Sequence, residues 1–246
     1  MSDLNVVRAH AVPAQTTAAE LAARIPVPTR LPERSDREPL RPLSATSYQK
    51  WIACPEAWRR YYIKGERPAP SGSMFLGSRV DDALSAYHRW ILEHGDRLSV
   101  DQVLDIYRVL WAAGLEEEND KQGVNWEEEL PERQACELGS QAIELVLSEL
   151  VPHLGDPVDV QRRLEFAIAE GLEWTVLCYL DLEPLKTDER GELIPTVVDF
   201  KVKGSLVSKE QADSDPQAGL DLAGRWLEEY PAGEFCFAQI AKPCIC

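Results

Sequence analysis

The period of the apolar residues changes once along this chain, near Pro157, and the change predicts its architecture. Before it, apolar residues recur at helical spacing. In LSATSYQKWIAC, Tyr48, Trp51 and Ile52 share a face behind Ser44 or Thr46 as N-cap, and Pro55 suits the first turn of a following segment, PEAWRRYYI. A loop over Gly65 to Gly72 leads into MFLGSRVDDALSAYHRWILEHG, where Leu76, Val80, Leu84, Tyr87 and Ile91 form one stripe. SVDQVLDIYRVLWAAGL opens with a capping box of Ser99 and Gln102, and PERQACELGSQAIELVLSELV, from Pro131, is a third long helix. After the change, VQRRLEFAIAE, EWTVLCYLDLE and LIPTVVDFKVK are short β-branched or alternating runs. Glu170-Gly171 and the turn-like KTDERGE separate them, so they predict consecutive antiparallel strands. Helical spacing returns in DPQAGLDLAGRWLEEY behind Asp215 and Pro216, and GEFCFAQIAKP closes the pattern as a strand. Helices, three strands, a helix and a strand make an α/β core with an N-terminal helical portion.

Residues 1 to 42 lie outside this pattern. They are rich in Pro, Arg and Ala, with little periodicity beyond a short helix around Thr17 to Arg24, and are expected to form a mobile arm ahead of a domain over residues 43–246. A chain of 246 residues, 44% hydrophobic and 28% charged, is long enough to bury one large core and too apolar to be wholly disordered. No uncharged apolar run approaches the ~18 residues of a membrane span, and MSDLNVVRAH lacks a basic stretch followed by an apolar one, so the expected location is the cytoplasm, without membrane association.

Charge narrows the classes of partner. With 26 basic against 42 acidic residues the net charge is -16, which argues against indiscriminate nucleic-acid binding but leaves room for a local basic groove. The acid gathers at Glu116 to Asp120 and Glu127 to Glu129. The base gathers earlier, at Arg30, Arg34, Arg37 and Arg41 and then at Arg59, Arg60, Lys64 and Arg67. Arg59, Arg60 and Lys64 are therefore the candidate DNA-binding cations. Trp51, Trp58, Tyr61 and Tyr62 lie near them and suit either base stacking or a core.

The candidate chemistry sits where two predicted strands end. Asp181 closes the second, and Asp199 and Lys201 close the third, on one face because strand side chains alternate. Pairing would set Asp181 beside Asp199. Two carboxylates and a lysine among Val197, Val198, Phe200 and Val202 are costly to bury unless a divalent cation compensates, and Mg²⁺ or Mn²⁺ prefers such oxygen ligands. That set suits phosphodiester hydrolysis. The same residues also read as strand-end turn acids and a solvated edge lysine.

Asp181, Asp199 and Lys201, in CYLDLE and VVDFKVK, resemble the Asp…Asp-x-Lys signature of the PD-(D/E)XK nuclease superfamily. LSATSYQKWIACPEAWRRYYIKGE is similar to the opening helix of its RecB-like branch, which includes AddB nuclease domains, CRISPR-adaptation nucleases and phage exonucleases; FLGSRVDDAL is similar to the helix that follows. The resemblance runs from about Leu43 to Pro243. It implies a restriction-endonuclease-like core: a small mixed sheet flanked by helices. It also implies a Mg²⁺- or Mn²⁺-dependent DNA nuclease, an exonuclease on ends or single strands in recombination, repair or replication, with proteins of those processes as partners. The alternative is a catalytically inactive relative that binds or regulates a DNA-processing complex.

By the same resemblance Asp181, Asp199 and Lys201 are catalytic, and Asp81, Asp181 and Asp199 hold the metal. Asp81 stands where the family carries a metal-binding His. Gln217 fits the family's Gln-x-x-x-Tyr helix as a catalytic-support or DNA-contact residue, with Asp221 in the tyrosine's place, and Val202 replaces a small polar residue. His88, seven residues after Asp81, suits either the metal or the core. Relatives with an iron–sulfur cluster supply four thiolates, and this chain offers Cys54, Cys236, Cys244 and Cys246. The C-terminal Cys-x7-Cys-x-Cys spacing departs from the family's tighter group, so Cys54 and Cys236 are expected as small core residues and Cys244 and Cys246 as a tail, without a [4Fe–4S] cluster. Cys136 and Cys178 are also expected in the core.

Overall fold

In the computed structural model, which describes residues 4–10, 42–128, 130–167, 174–203, 208–227 and 232–241, a five-stranded mixed sheet lies between two helical layers. The elements are β1 (Leu4–His10), α1 (Ala45–Ala53), α2 (Pro55–Trp58), α3 (Gly72–His94), α4 (Val100–Asn119), α5 (Glu132–Leu145), β2 (Asp156–Ala167), β3 (Thr175–Thr187), β4 (Leu193–Lys203), α6 (Lys209–Asp213), α7 (Pro216–Leu227) and β5 (Glu234–Ala241). A wider π-helical turn extends α2 over Arg59–Ile63, and another extends α5 over Val146–Leu150.

The expected caps set the helix starts. Ser44 accepts from Ser47 N at 3.2 Å, and Pro55 opens α2. Ser99 and Gln102 close their capping box, and Asp215 Oδ1 accepts from Gln217 N at 2.8 Å. Gly95, with φ of +77°, ends α3. The stripe of α3 buries Leu76, Val80 and Leu84 completely against α4 and α5, each such side chain contributing roughly 1.5–3 kcal/mol. Closest approach comes at Gly139 of α5, where a Cβ would lie 2.0 Å from the Tyr107 hydroxyl oxygen of α4.

The sheet order is β1-β5-β4-β3-β2, with β2, β3 and β4 antiparallel in sequence. Asp188 shapes the β3–β4 turn, its carboxylate accepting from Arg190 N and Glu192 N at 2.8 Å each. After α6 and α7 the chain re-enters as β5, parallel to β4. Val198, Phe200, Cys236 and Ala238 pack toward α3, α4 and α5, while Val197, Phe235 and Phe237 pack toward α6 and α7, the alternation strand geometry demands. Arg225 of α7 anchors that second layer through Glu183 of β3, at 2.7 Å, with both side chains buried.

In β2 and β3 the alternation breaks. Leu180 packs toward α7 but Leu182 toward α3; Leu164 packs toward α7 but Val160 toward α3. Residues of equal parity thus lie on opposite faces. Both reversals fall at one place: the paired residues run Val160–Leu182 and then Arg162–Leu180, skipping Gln161 and Asp181. Gln161 has φ of +54°, the left-handed region that costs a non-glycine residue roughly 1–2 kcal/mol. That single conformation turns β2 over.

Leu4–His10 departs from the expected mobile arm. It forms β1, antiparallel to β5, because the outer edge of β5 would otherwise leave its ladder groups unpaired. The expected helix around Thr17 to Arg24 lies outside the described residues. No helix among the described residues is long and apolar enough to cross a membrane.

Candidate metal centre

The reversal at Gln161 and Asp181 opens the edge of the site. The β3–β4 pairing stops at Leu182–Val198, and one residue further on the Asp181 side chain takes the place of a strand partner, its Oδ2 accepting from Phe200 N at 3.0 Å. Asp181 is therefore fixed in the plane of the sheet. Asp81, one turn past Gly77 on α3, shares with it a groove of ≈ 500 Å³ whose lining includes Phe200, Lys201 and Met74.

On β4, Asp199 and Lys201 share a face as the alternation predicts, with Lys201 Nζ 2.8 Å from Asp199 Oδ1. Gln217, in the first turn of α7, donates from Nε2 to the same oxygen at 2.6 Å. Asp199 is 3% exposed. Two donors on one carboxylate oxygen fix its rotamer. Burial alone would lower the Lys201 pKa, but the charge and hydrogen bond of Asp199 outweigh it and hold the ammonium above its usual range.

At the other two carboxylates burial and like charge dominate. Burial, then the charges of Asp82 and Asp199, push Asp81 up to about 6; burial, then the charges of Asp199 and Asp81, push Asp181 well above the usual carboxylate range. Three desolvated acids against one ammonium are an oxygen donor set that a hard divalent cation suits, since it relieves both the repulsion and the lost hydration. Among the described residues, no three His, Cys, Asp or Glu side chains close into a ready-made cage. What stands between Asp81 and Asp181 is Gln161. Its Nε2 lies 3.1 and 3.3 Å from the two Asp81 oxygens, 3.4 Å from Asp181 Oδ1 and 3.0 Å from Ser85 Oγ. Sequence reasoning missed Gln161 and Ser85. Ser85 follows Asp81 by four on the helix and could have been placed from spacing; nothing in the sequence marks a left-handed Gln inside a strand.

The remaining candidates are scattered. Arg59 and Arg60 both bond Glu56, Arg59 through Nε and Nη2 at 2.8 Å and Arg60 through Nε at 3.1 Å, while Lys64 lies 3.8 Å from Glu66. The basic cluster is thus partly offset by two neighbouring carboxylates, Glu56 and Glu66. Beside it Trp51 and Trp58 meet edge to face, and Lys50 and Arg67 lie over the Tyr61 ring. His88 is buried, its Nδ1 2.8 Å from Leu84 O and its ring stacked on Phe200, so it serves the core. Asp221 is also buried, close enough to Cys178 for a thiol hydrogen bond.

The cysteines divide. Cys54 is exposed and caps α2, its Sγ accepting from Ala57 N at 3.5 Å, which corrects the expected core position. It sits there because it ends α1 in extended conformation just before Pro55. Cys236 is buried toward α3, the opposite side of the sheet from α7, against which α1 packs. Cys178 is buried and Cys136 half-buried, while Cys244 and Cys246 lie outside the described residues.

Residues 42–224 match the model of the PD-(D/E)XK nuclease superfamily. No curated protein matches the chain. The matched segment contains the groove, the Asp199-Phe200-Lys201 tripeptide on an interior strand and the glutamine that braces it, within a mixed sheet flanked by helices of the restriction-endonuclease-like kind. The chain belongs to the PD-(D/E)XK nuclease superfamily.

Proposed function

We propose that this protein is a Mg²⁺- or Mn²⁺-dependent deoxyribonuclease, an exonuclease that hydrolyses phosphodiester bonds from DNA ends in recombination, repair or replication in the cytoplasm. The observation that supports this most is the joining of Lys201 and Gln217 to one oxygen of Asp199, beside a groove that also holds Asp81 and Asp181. Asp81, Asp181 and Asp199 would hold the cation, which supplies Lewis-acid polarisation of the scissile phosphate.

The chain's own groups do the rest. Asp199 keeps the Lys201 ammonium charged and aimed, so that its positive charge is in place when negative charge grows on the phosphate. Lys201 also orients the attacking water from a side chain that is partly exposed in the groove. Gln217 holds Asp199 in its rotamer from the first turn of α7, which makes it a positioning residue. Asp81 supplies an oxygen from α3 in place of an imidazole nitrogen, which favours a hard cation over softer ones.

The test is degradation of end-labelled linear and closed circular DNA with Mg²⁺, Mn²⁺ or EDTA. Cleavage of linear DNA alone, abolished by EDTA and lowered at least ~10²-fold by Asp199→Asn or by Lys201→Ala, is the expected result. Cleavage of circles would replace exonuclease with endonuclease. No metal-dependent cleavage of either form would leave the inactive, DNA-regulating relative as the reading.

A further inference from the structure

The geometry points to Gln161 as a positioning residue of the metal centre: its side-chain amide bridges Asp81 and Asp181, and its left-handed backbone is what delivers the amide there. The inference rests on Asp81 and Asp181 being metal ligands, as proposed above.

Three independent observations converge on this residue. Its φ of +54° is the one positive value outside glycine among the described residues, and it falls inside a strand rather than in a turn. The pairing of β2 with β3 skips Gln161 and Asp181 together, so the irregularities of the two strands face each other. The amide then reaches both carboxylates and Ser85, within 3.0 to 3.4 Å. An amide nitrogen has two hydrogens and here faces four acceptor atoms, so the bonds are shared and individually long. That is the geometry of a group spanning a gap between two anions on different elements, α3 and β3.

The physical need is plain. Asp81 and Asp181 repel each other, and a donor between them keeps the α3 carboxylate turned toward the sheet. Donors that fix ligand carboxylates in this way typically contribute 10–100-fold to metal affinity. A strained backbone persists where the surroundings over-determine it, and here the reward is the aim of one side chain. A glycine would adopt this φ without cost but would have no amide to aim. The role is therefore divided: the backbone sets direction, and the amide sets the carboxylates.

Two substitutions separate these parts. Gln161→Met keeps the volume and the backbone strain but removes the donor; Gln161→Gly removes the donor and relieves the strain. Mn²⁺ binding to the full chain, measured by calorimetry or electron paramagnetic resonance, should weaken at least about tenfold in both. In the metal-free state Gln161→Gly should unfold at a higher temperature than Gln161→Met. Gln161→Asn, which tolerates left-handed backbone and retains an amide, should recover part of the Mn²⁺ affinity. If either the Gly or the Met variant binds Mn²⁺ as tightly as wild type while Asp181→Asn loses it, Gln161 has no positioning role and the metal centre stands. If Asp181→Asn and Asp199→Asn also bind Mn²⁺ unchanged, the reading of the centre fails together with this inference.

Discussion

Replacing Asp221 with Asn should make the metal-free protein more stable at neutral pH and leave it unchanged in acid. Asp221 lies on α7, 3% exposed, among Cys178, Asp199 and Lys201. Burial raises its carboxyl from 3.8 to about 7; the Cys178 thiol donor pulls the other way, and Asp199's charge adds to the rise. The sign follows from linkage. Below pH ~3 the group is protonated whether the chain is folded or not, so it costs nothing; as pH climbs from there toward 7 the unfolded chain releases this proton and the folded one resists, so stability is lost. At ~1.36 kcal/mol per pH unit the rise to about 7 corresponds to on the order of 4 kcal/mol, a large part of a domain's usual 5–15. Asp221→Asn keeps the shape and cannot ionise. Urea unfolding in EDTA between pH ~3 and ~8 should show wild type and variant coinciding at the acid end and diverging by a few kcal/mol at the other. Parallel curves would refute the argument, because they would mean Asp221 ionises as easily folded as unfolded.

Glu56→Gln should free Arg59 and Arg60 from their shared carboxylate. If those arginines meet DNA, single-strand affinity rises and each new phosphate contact steepens the logarithmic salt slope by about 0.7–0.9; an unchanged slope moves the groove elsewhere. Gly139→Ala should destabilise by roughly 1–3 kcal/mol in urea, since its Cβ would fall 2.0 Å from the Tyr107 hydroxyl inside the packed α4–α5 contact. An unshifted midpoint would show that the two helices can part there. Asp199→Asn and Lys201→Ala, assayed on end-labelled DNA, remain the direct test of the nuclease reading.

Periodicity carried much of the fold because most elements bury a single face. The stripe from Leu76 to Ile91 and the alternation from Val197 to Phe200 each needed only local spacing to be read. Caps at Ser44, Ser99 and Asp215 were legible for the same reason. The rest depended on information that no window holds. Leu4–His10 is a strand by virtue of β5, more than two hundred residues away, and α6 is five residues long, too short for a helical period to show. At the site, the Asp199–Lys201 pair followed from strand alternation. The neutralisation of Arg59 by Glu56 was present as i, i+3 spacing and was overlooked in favour of the basic residues themselves. Gln161 could not be found from pattern, since its left-handed backbone inverts the very alternation by which strands are read.

The end of the β3–β4 pairing at Leu182–Val198 has a mechanical consequence. Beyond Val198, β4 is a cantilever: Asp199 to Lys203 pair with Phe237 to Ala241 of β5 on one side, while on the other, among the described residues, the side-chain bond from Phe200 N to Asp181 replaces the ladder. The beam carrying the lysine is clamped along one edge and pinned at one point on the other. Its outer edge lacks a β3 ladder although Phe200 is still packed in the core, so amide hydrogens from Asp199 to Lys203 should exchange faster than those of Thr196 to Val198. A cation drawing Asp181 toward itself would load that pin, and the stiffness of the lysine-bearing tip would then report whether the metal is bound.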